Sequence, residues 1–172
     1  MIITVDNQAT YIYTATQKIQ NDKPTILFIH GAANDHSVWN TQCRYFSTHG
    51  WNALAIDLPA HGQTDGSALD SISALSDWIQ KCTEILEIEK LSIVGHSMGS
   101  LIGLELASKS NTIVSRLALV GTNAPMPVSE HLLETSKNKA EIAYQMINQY
   151  SFSSRAKLGK NDIPGISMLG VS

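Results

Sequence analysis

The apolar positions of this chain alternate between short strand-like clusters and longer stretches spaced by three and four. Thr25-Ile26-Leu27-Phe28-Ile29 is an unbroken run, the pattern of a strand buried on both faces. Trp51 to Ile56 reads as another buried strand, Leu91 to Val94 as a short strand and Val114 to Val120 as a further strand, continuously apolar from Leu117. Between them lie helical patterns. Ser37 predicts a cap for a helix reaching about Phe46, with Gly50 as its stop. Ile72, Leu75, Trp78, Ile79, Cys82, Ile85 and Leu86 share one helical face, with the start at Asp70 or Ser71. Ser97 to Ala107 reads as a further helix. Ahead of all these, Ile2 to Val5 and Tyr11 to Thr16 read as strands joined through Asp6-Asn7-Gln8. Strands alternating with helices predict right-handed βαβ units. The fold class is α/β, a mostly parallel sheet with helices on both faces.

The texture changes at Pro125-Met126-Pro127. Residues 1–124 read as the sheet-bearing core. Residues 125–172 hold helix-like segments at Glu130 to Glu134 and Ala140 to Tyr150, then an irregular tail from Ser151 with Gly159, Pro164, Gly165 and Gly170.

A length of 172 residues, 43% of them hydrophobic and 16% charged, suits a globular domain with a buried core and argues against disorder. Twelve Lys plus Arg against fifteen Asp plus Glu give a net charge of −3. With no basic run, nucleic-acid binding is excluded. No apolar run reaches the length of a membrane span, and the N-terminus has no signal-peptide pattern, so the expected location is cytoplasmic. Cys43 and Cys82 fall in helical patterns and read as reduced core thiols. Neither has a Cys or His at ligand spacing, so no metal and no cofactor are assigned.

Gly95-His96-Ser97-Met98-Gly99 matches G-x-S-x-G and sits between a strand and a helix. A sharp strand-to-helix turn holds its central serine in a strained conformation beside a helix N-terminus, where developing negative charge is favoured. Ser97 is therefore the candidate nucleophile. Acyl transfer also needs two N–H donors for the oxyanion. One is Met98, just after the serine. The other is assigned to Ala32, which follows His30-Gly31 at the end of an earlier strand and has a side chain small enough to admit a carbonyl. Asp57-Leu58-Pro59-Ala60-His61-Gly62-Gln63-Thr64, taken alone, reads as a polar turn.

The order Phe28-Ile29-His30-Gly31, then Asp57 to Gly62, then Gly95 to Gly99 resembles the α/β-hydrolase superfamily, in particular its cap-bearing ester and C–C bond hydrolases. Leu119-Val120-Gly121-Thr122-Asn123-Ala124-Pro125 fits the strand leading into the cap, and Asn161 to Gly170 fits a segment within it. The resemblance implies Ser97 as nucleophile and Ala32 and Met98 as the oxyanion hole. It departs at Ala60, where the family usually has glycine. It also implies an acid and a histidine after later strands, so the chain is expected to be the N-terminal portion of the fold, ending inside a partial helical cap. Asn123 stands near one family position for the acid and cannot serve as a carboxylate does; Asp162 is unassigned. His131 reads as a surface residue of the cap. His96 points away across the turn, His30 orders the oxyanion loop, His61 is a loop residue, and His36 and His49 are helix-flanking surface residues.

The function this supports is a serine hydrolase acting on a carboxylic ester or related acyl bond of a small molecule, inactive without its acid and base. The alternatives are a non-catalytic or decayed protein on the same fold, or cofactor-free peroxidase, dioxygenase or C–C hydrolase chemistry on the same scaffold. Val114 to Val120 is expected to be an exposed sheet edge through which the chain self-associates.

Overall fold

Asp6 and Asn7 both adopt left-handed backbone, with φ of 48° and 63°. Two such residues in succession make the tight turn that matches the twist of a hairpin, and Asp and Asn tolerate it best. They join β1 (Ile2–Val5) to β2 (Gln8–Tyr13), with Val5 opposite Gln8. Gln8 thus belongs to the strand rather than to the turn, and β2 begins three residues before the expected Tyr11. The computed structural model describes residues 1–15, 18–109 and 113–151. The expected strand end at Thr16 and the tail with Gly159 to Gly170 lie outside them.

The strands β3 (Thr25–Ile29), β4 (Asn52–Ile56), β5 (Leu91–His96) and β6 (Val114–Val120) complete a sheet of order β1-β2-β4-β3-β5-β6. β3 pairs in parallel with β4 and β5, and β5 with β6; β1 and β2 run antiparallel at the other edge. β3 and β4 are buried throughout. Period-two alternation sends their residues to opposite faces. Leu27, Ile29, Leu54 and Ile56 join one core with Leu75, Trp78 and Ile79 of α2 (Ile72–Ile85) and Ile102 and Leu106 of α3 (Met98–Lys109). Ile26, Phe28, Ala53 and Ala55 join a second core with Trp39 and with Cys43 of α1 (Asn40–Thr48). Helices therefore cover both faces.

The caps explain the helix starts. Ser71 accepts from the Ala74 N–H at 3.1 Å, fixing the first turn of α2. Before α1, a short 3₁₀ helix spans His36–Trp39, and its cap is Asp35, whose carboxylate accepts from the Ser37 N–H at 2.7 Å. The expected cap at Ser37 is corrected to Asp35: an acid two residues earlier reaches the exposed N–H groups first. Gly50 ends the segment with φ of 84°, a conformation open to glycine. Cys43 and Cys82 are free and buried. Burial pushes the Cys43 thiol up to about 12 and raises that of Cys82 as well, so neither is a thiolate at neutral pH.

The described chain divides into two compact units, Met1–Asn123 and the residues from Ala124 onward. In the second, α4 (Glu130–Asn138) packs on α5 (Ala140–Ser151), with Ala143 buried. Ser129 caps α4 by accepting from the Leu132 N–H at 3.2 Å. No helix among the described residues is long and apolar enough to cross a membrane.

Candidate active site

β5 runs through His96 and α3 begins at Met98, so Ser97 is the single residue between them. Its φ is 51°, a left-handed conformation that costs a non-glycine residue about 1–2 kcal/mol. The surroundings hold it there. Its N–H donates to the Val120 carbonyl at 2.9 Å, while its own carbonyl accepts from the Ser100 N–H at 2.9 Å. The glycines on either side have steric reasons. A Cβ on Gly95 would overlap the Gly99 carbonyl, and one on Gly99 would overlap the Ile29 carbonyl. The start of α3 is thus pressed onto the end of β3, which a side chain at either position would prevent. Ser97 is half-buried, and Met98 opens the helix.

The loop after β3 comes to the same place. A Cβ on Gly31 would lie 3.2 Å from the Ser97 Cβ and 3.0 Å from His96 Nδ1. A Cβ here would press on both side chains, so glycine eases this close approach. Ala32 follows it in an exposed turn, its carbonyl accepting from Asn34 Nδ2 at 3.0 Å. Ala33 closes the turn with φ of 58°. The structure therefore brings Gly31 of this loop against His96 and Ser97, with Ala32 and Met98 each the next residue along.

His30 fastens that loop from beneath. It is fully buried, and both ring nitrogens are engaged: Nε2 accepts from the Leu58 N–H at 3.1 Å, so Nδ1 carries the proton and donates to the Gly31 carbonyl at 2.8 Å. Burial pushes its pKa down to about 4, with the facing His61 adding to the effect, so the ring stays neutral. The expected ordering role for His30 has this as its geometry. The His96 ring lies beside Gly31 and Gly121, and burial lowers its pKa. His49 and His131 are exposed, and His61 sits in its loop with Nδ1 2.9 Å from the Pro59 carbonyl.

Two expectations need correction. His36 is not a surface residue flanking a helix: its Nδ1 meets the Asp57 carboxylate at 2.9 Å, and its ring packs on Tyr11 and Tyr13. Asp57 is not an ordinary turn residue. It is fully buried and accepts from the His36 N–H at 2.6 Å and the Gln63 N–H at 2.8 Å. The same carboxylate thus joins the loop after β3 to the loop after β4. The sequence signal is Gly62, with φ of 56°, where any Cβ would overlap the Asp57 carboxylate. Asp35, His36 and Asp57 each offer a ligand atom within 4.8 Å of the others, but these atoms are already hydrogen-bonded to protein. Asp35 lies below its ordinary pKa: burial pushes it up, and hydrogen bonds from Ser37 outweigh that.

Residues 24–157 match the family model of the alpha/beta hydrolase fold. The chain belongs to the α/β-hydrolase family. This α/β hydrolase is 31% identical over 102 residues to the (E)-2-((N-methylformamido)methylene)succinate hydrolase of Acinetobacter baylyi, covering 59% of this chain and 38% of that one. It is also 31% identical over 101 residues to a putative carbamate hydrolase of Agrobacterium fabrum, covering 58% of this chain and 38% of that one. The enol-lactonase from Burkholderia xenovorans superposes with a TM-score of 0.80 at 20% identity, over 91% of this chain and 61% of that one. At that identity the likeness shows the fold. The hydrolase chain spans under two fifths of the length of these two curated relatives.

Proposed function

We propose that this α/β hydrolase cleaves a carboxylic ester or related acyl bond of a small molecule, with Ser97 as nucleophile. The observation that carries the reading is the left-handed Ser97 at the β5–α3 junction, faced by the Gly31 backbone. Ser97 Oγ attacks the substrate carbonyl and gives up its proton to a base. The carbonyl oxygen becomes an anion, which the N–H groups of Ala32 and Met98 receive together with the positive end of α3. Collapse expels the alcohol and leaves an acyl group on Ser97, which water then removes.

The base is not assigned to a histidine of residues 1–151. His30 has both nitrogens committed, and His36 is tied to Asp57. Relatives whose names specify a lactone or a carbamate support an acyl substrate. The cytoplasm remains the proposed location.

Reaction with a fluorophosphonate, with imidazole supplied in solution as the base, tests the role of Ser97. Imidazole should accelerate labelling of Ser97 over the other serines, read by peptide mass spectrometry and lost in Ser97→Ala. Slow labelling spread evenly over the serines would instead favour a non-catalytic protein on this fold. A series of p-nitrophenyl esters of graded acyl length then sorts the substrate class.

A further inference from the structure

A trans peptide group carries its carbonyl and its N–H on opposite sides of one plane, so whatever holds the oxygen sets the aim of the hydrogen. The two donors proposed for the oxyanion belong to two such groups, Gly31–Ala32 and Ser97–Met98, and both are trans. The Ala32 N–H shares its plane with the Gly31 carbonyl. The Met98 N–H shares its plane with the Ser97 carbonyl.

Each of these carbonyls receives a hydrogen bond from a buried side chain. His30 Nδ1 donates to the Gly31 oxygen at 2.8 Å. The Ser100 hydroxyl donates to the Ser97 oxygen, which also accepts from the Ser100 N–H at 2.9 Å. His30 and Ser100 are both fully buried. Both are held in turn. His30 Nε2 accepts from the Leu58 N–H at 3.1 Å, which keeps the proton on Nδ1. A Cβ on Gly95 would come 2.6 Å from the Ser100 Cα, so Ser100 sits tight against β5. Ser108 and Ser136 bond in the same way to the carbonyls of Glu105 and Leu133, three residues back, but at exposed positions where water competes. Ser100 makes its bond out of water, where hydrogen bonds are stronger.

We infer that His30 and Ser100 are positioning residues of the proposed acyl transfer: each grips the carbonyl of one oxyanion peptide from behind, aims its N–H and makes it a better donor. The inference rests on the proposed roles of Ser97, Ala32 and Met98. Both side chains act through the backbone. A hydrogen bond to the oxygen polarises the amide, and linked bonds strengthen one another by about 10–30% each. Aim matters more. The donors must reach the point where charge develops, and dipoles already fixed there need no reorganisation as the reaction proceeds.

Phosphonylation of Ser97 by a fluorophosphonate, with imidazole as base, tests this on residues 1–172. The Ser97 Oγ–P bond forms, the P–F bond breaks, fluoride leaves and the hydroxyl proton passes to imidazole. Meanwhile the phosphoryl oxygen gathers the charge that the two N–H groups would receive. The limiting rate and the half-saturating concentration are measured separately, and circular dichroism checks the fold of each variant. Ser100→Ala suits its helix and removes only the hydroxyl. Loss of an oxyanion donor costs about 10²–10³ in rate, so a misaimed one should lower the limiting rate about tenfold. The half-saturating concentration should not change, because the lost interaction belongs to the transition state. At His30 two variants separate aim from packing. His30→Asn can place its amide nitrogen where Nδ1 was and keep the bond to Gly31, while losing the acceptor for Leu58. His30→Gln does the reverse. The glutamine variant should therefore label about tenfold more slowly than the asparagine variant, whichever of them melts lower. Where a His30 variant does not fold, Ser100→Ala decides alone. Folded Ser100→Ala labelling at the parent rate overturns the inference. So do equal rates for the two His30 variants, or rates that simply follow melting temperature. A parent without selectivity for Ser97 overturns the nucleophile reading as well, whereas selective labelling that the variants leave untouched overturns this inference alone.

Discussion

His36 and Asp57 meet at 2.9 Å across 21 residues of sequence, and the carboxylate is fully buried. Asp57 also holds two backbone N–H groups, from His36 and Gln63. One acidic side chain therefore fixes the loop that carries Ala32 to the loop after β4. Asp57→Asn keeps the shape and removes the charge. Hydrogen bonds to charged groups are worth about 1.5–3 kcal/mol, so a loss of about 2 kcal/mol is expected from urea unfolding. Combining it with His36→Gln should show a coupling of about 1 kcal/mol between the two sites. Additive losses would mean that Asp57 acts through the backbone alone.

The buried neutral His30 makes stability fall in mild acid. Its folded pKa of about 4 lies below the ordinary 6.5. The unfolded chain takes up a proton as pH drops below 6.5, whereas the folded chain resists until about 4. Stability is therefore full above 6.5 and drains away between those values, by about 3 kcal/mol in total. His30→Gln keeps an acceptor for the Leu58 N–H and does not titrate. Urea midpoints measured from pH 7 down to 4.5 should fall more steeply for the parent than for this variant. Parallel curves would refute the assignment.

Ala60 has φ of 61° and Ser97 φ of 51°. Glycine relieves a left-handed cost of about 1–2 kcal/mol but loses about 0.5–1 kcal/mol through the freer unfolded chain. Ala60→Gly should thus stabilise by about 0.5–1 kcal/mol, or about 2–4 °C in Tm per kcal/mol for a chain of this size. By the same reasoning Ser97→Gly should melt higher than Ser97→Ala, although both remove the hydroxyl. If the glycine variants melted lower, these two positions would not be strained. Elsewhere in helices and strands, glycine lowers stability.

The sheet and the Ser97 junction are legible in the sequence because their signals are local. β3 shows as an unbroken apolar run, α2 as a face with a serine cap, and the junction as glycines around a serine between a strand and a helix. What stays hidden is tertiary. Nothing near His36 announces that it will meet Asp57, and a buried carboxylate in a turn looks like an exposed one until its donors are seen. Ala60 shows the same limit: its departure from glycine is visible in the sequence, but the positive φ that explains the glycine is not. The start of β2 shifts because Asp6 and Asn7 suffice for the turn, which leaves Gln8 to the strand.

The Ser97 amide donates to Val120, the last residue of β6. The serine at the elbow is therefore hitched to the end of β6, and fraying of that strand loosens its amide first. Hydrogen–deuterium exchange at Ser97 becomes a built-in gauge of that strand end. Protection there should weaken when the end of β6 is destabilised, although nothing has touched the pocket. Order at the reacting centre is in this way partly supplied by a neighbouring strand that carries none of the reacting groups.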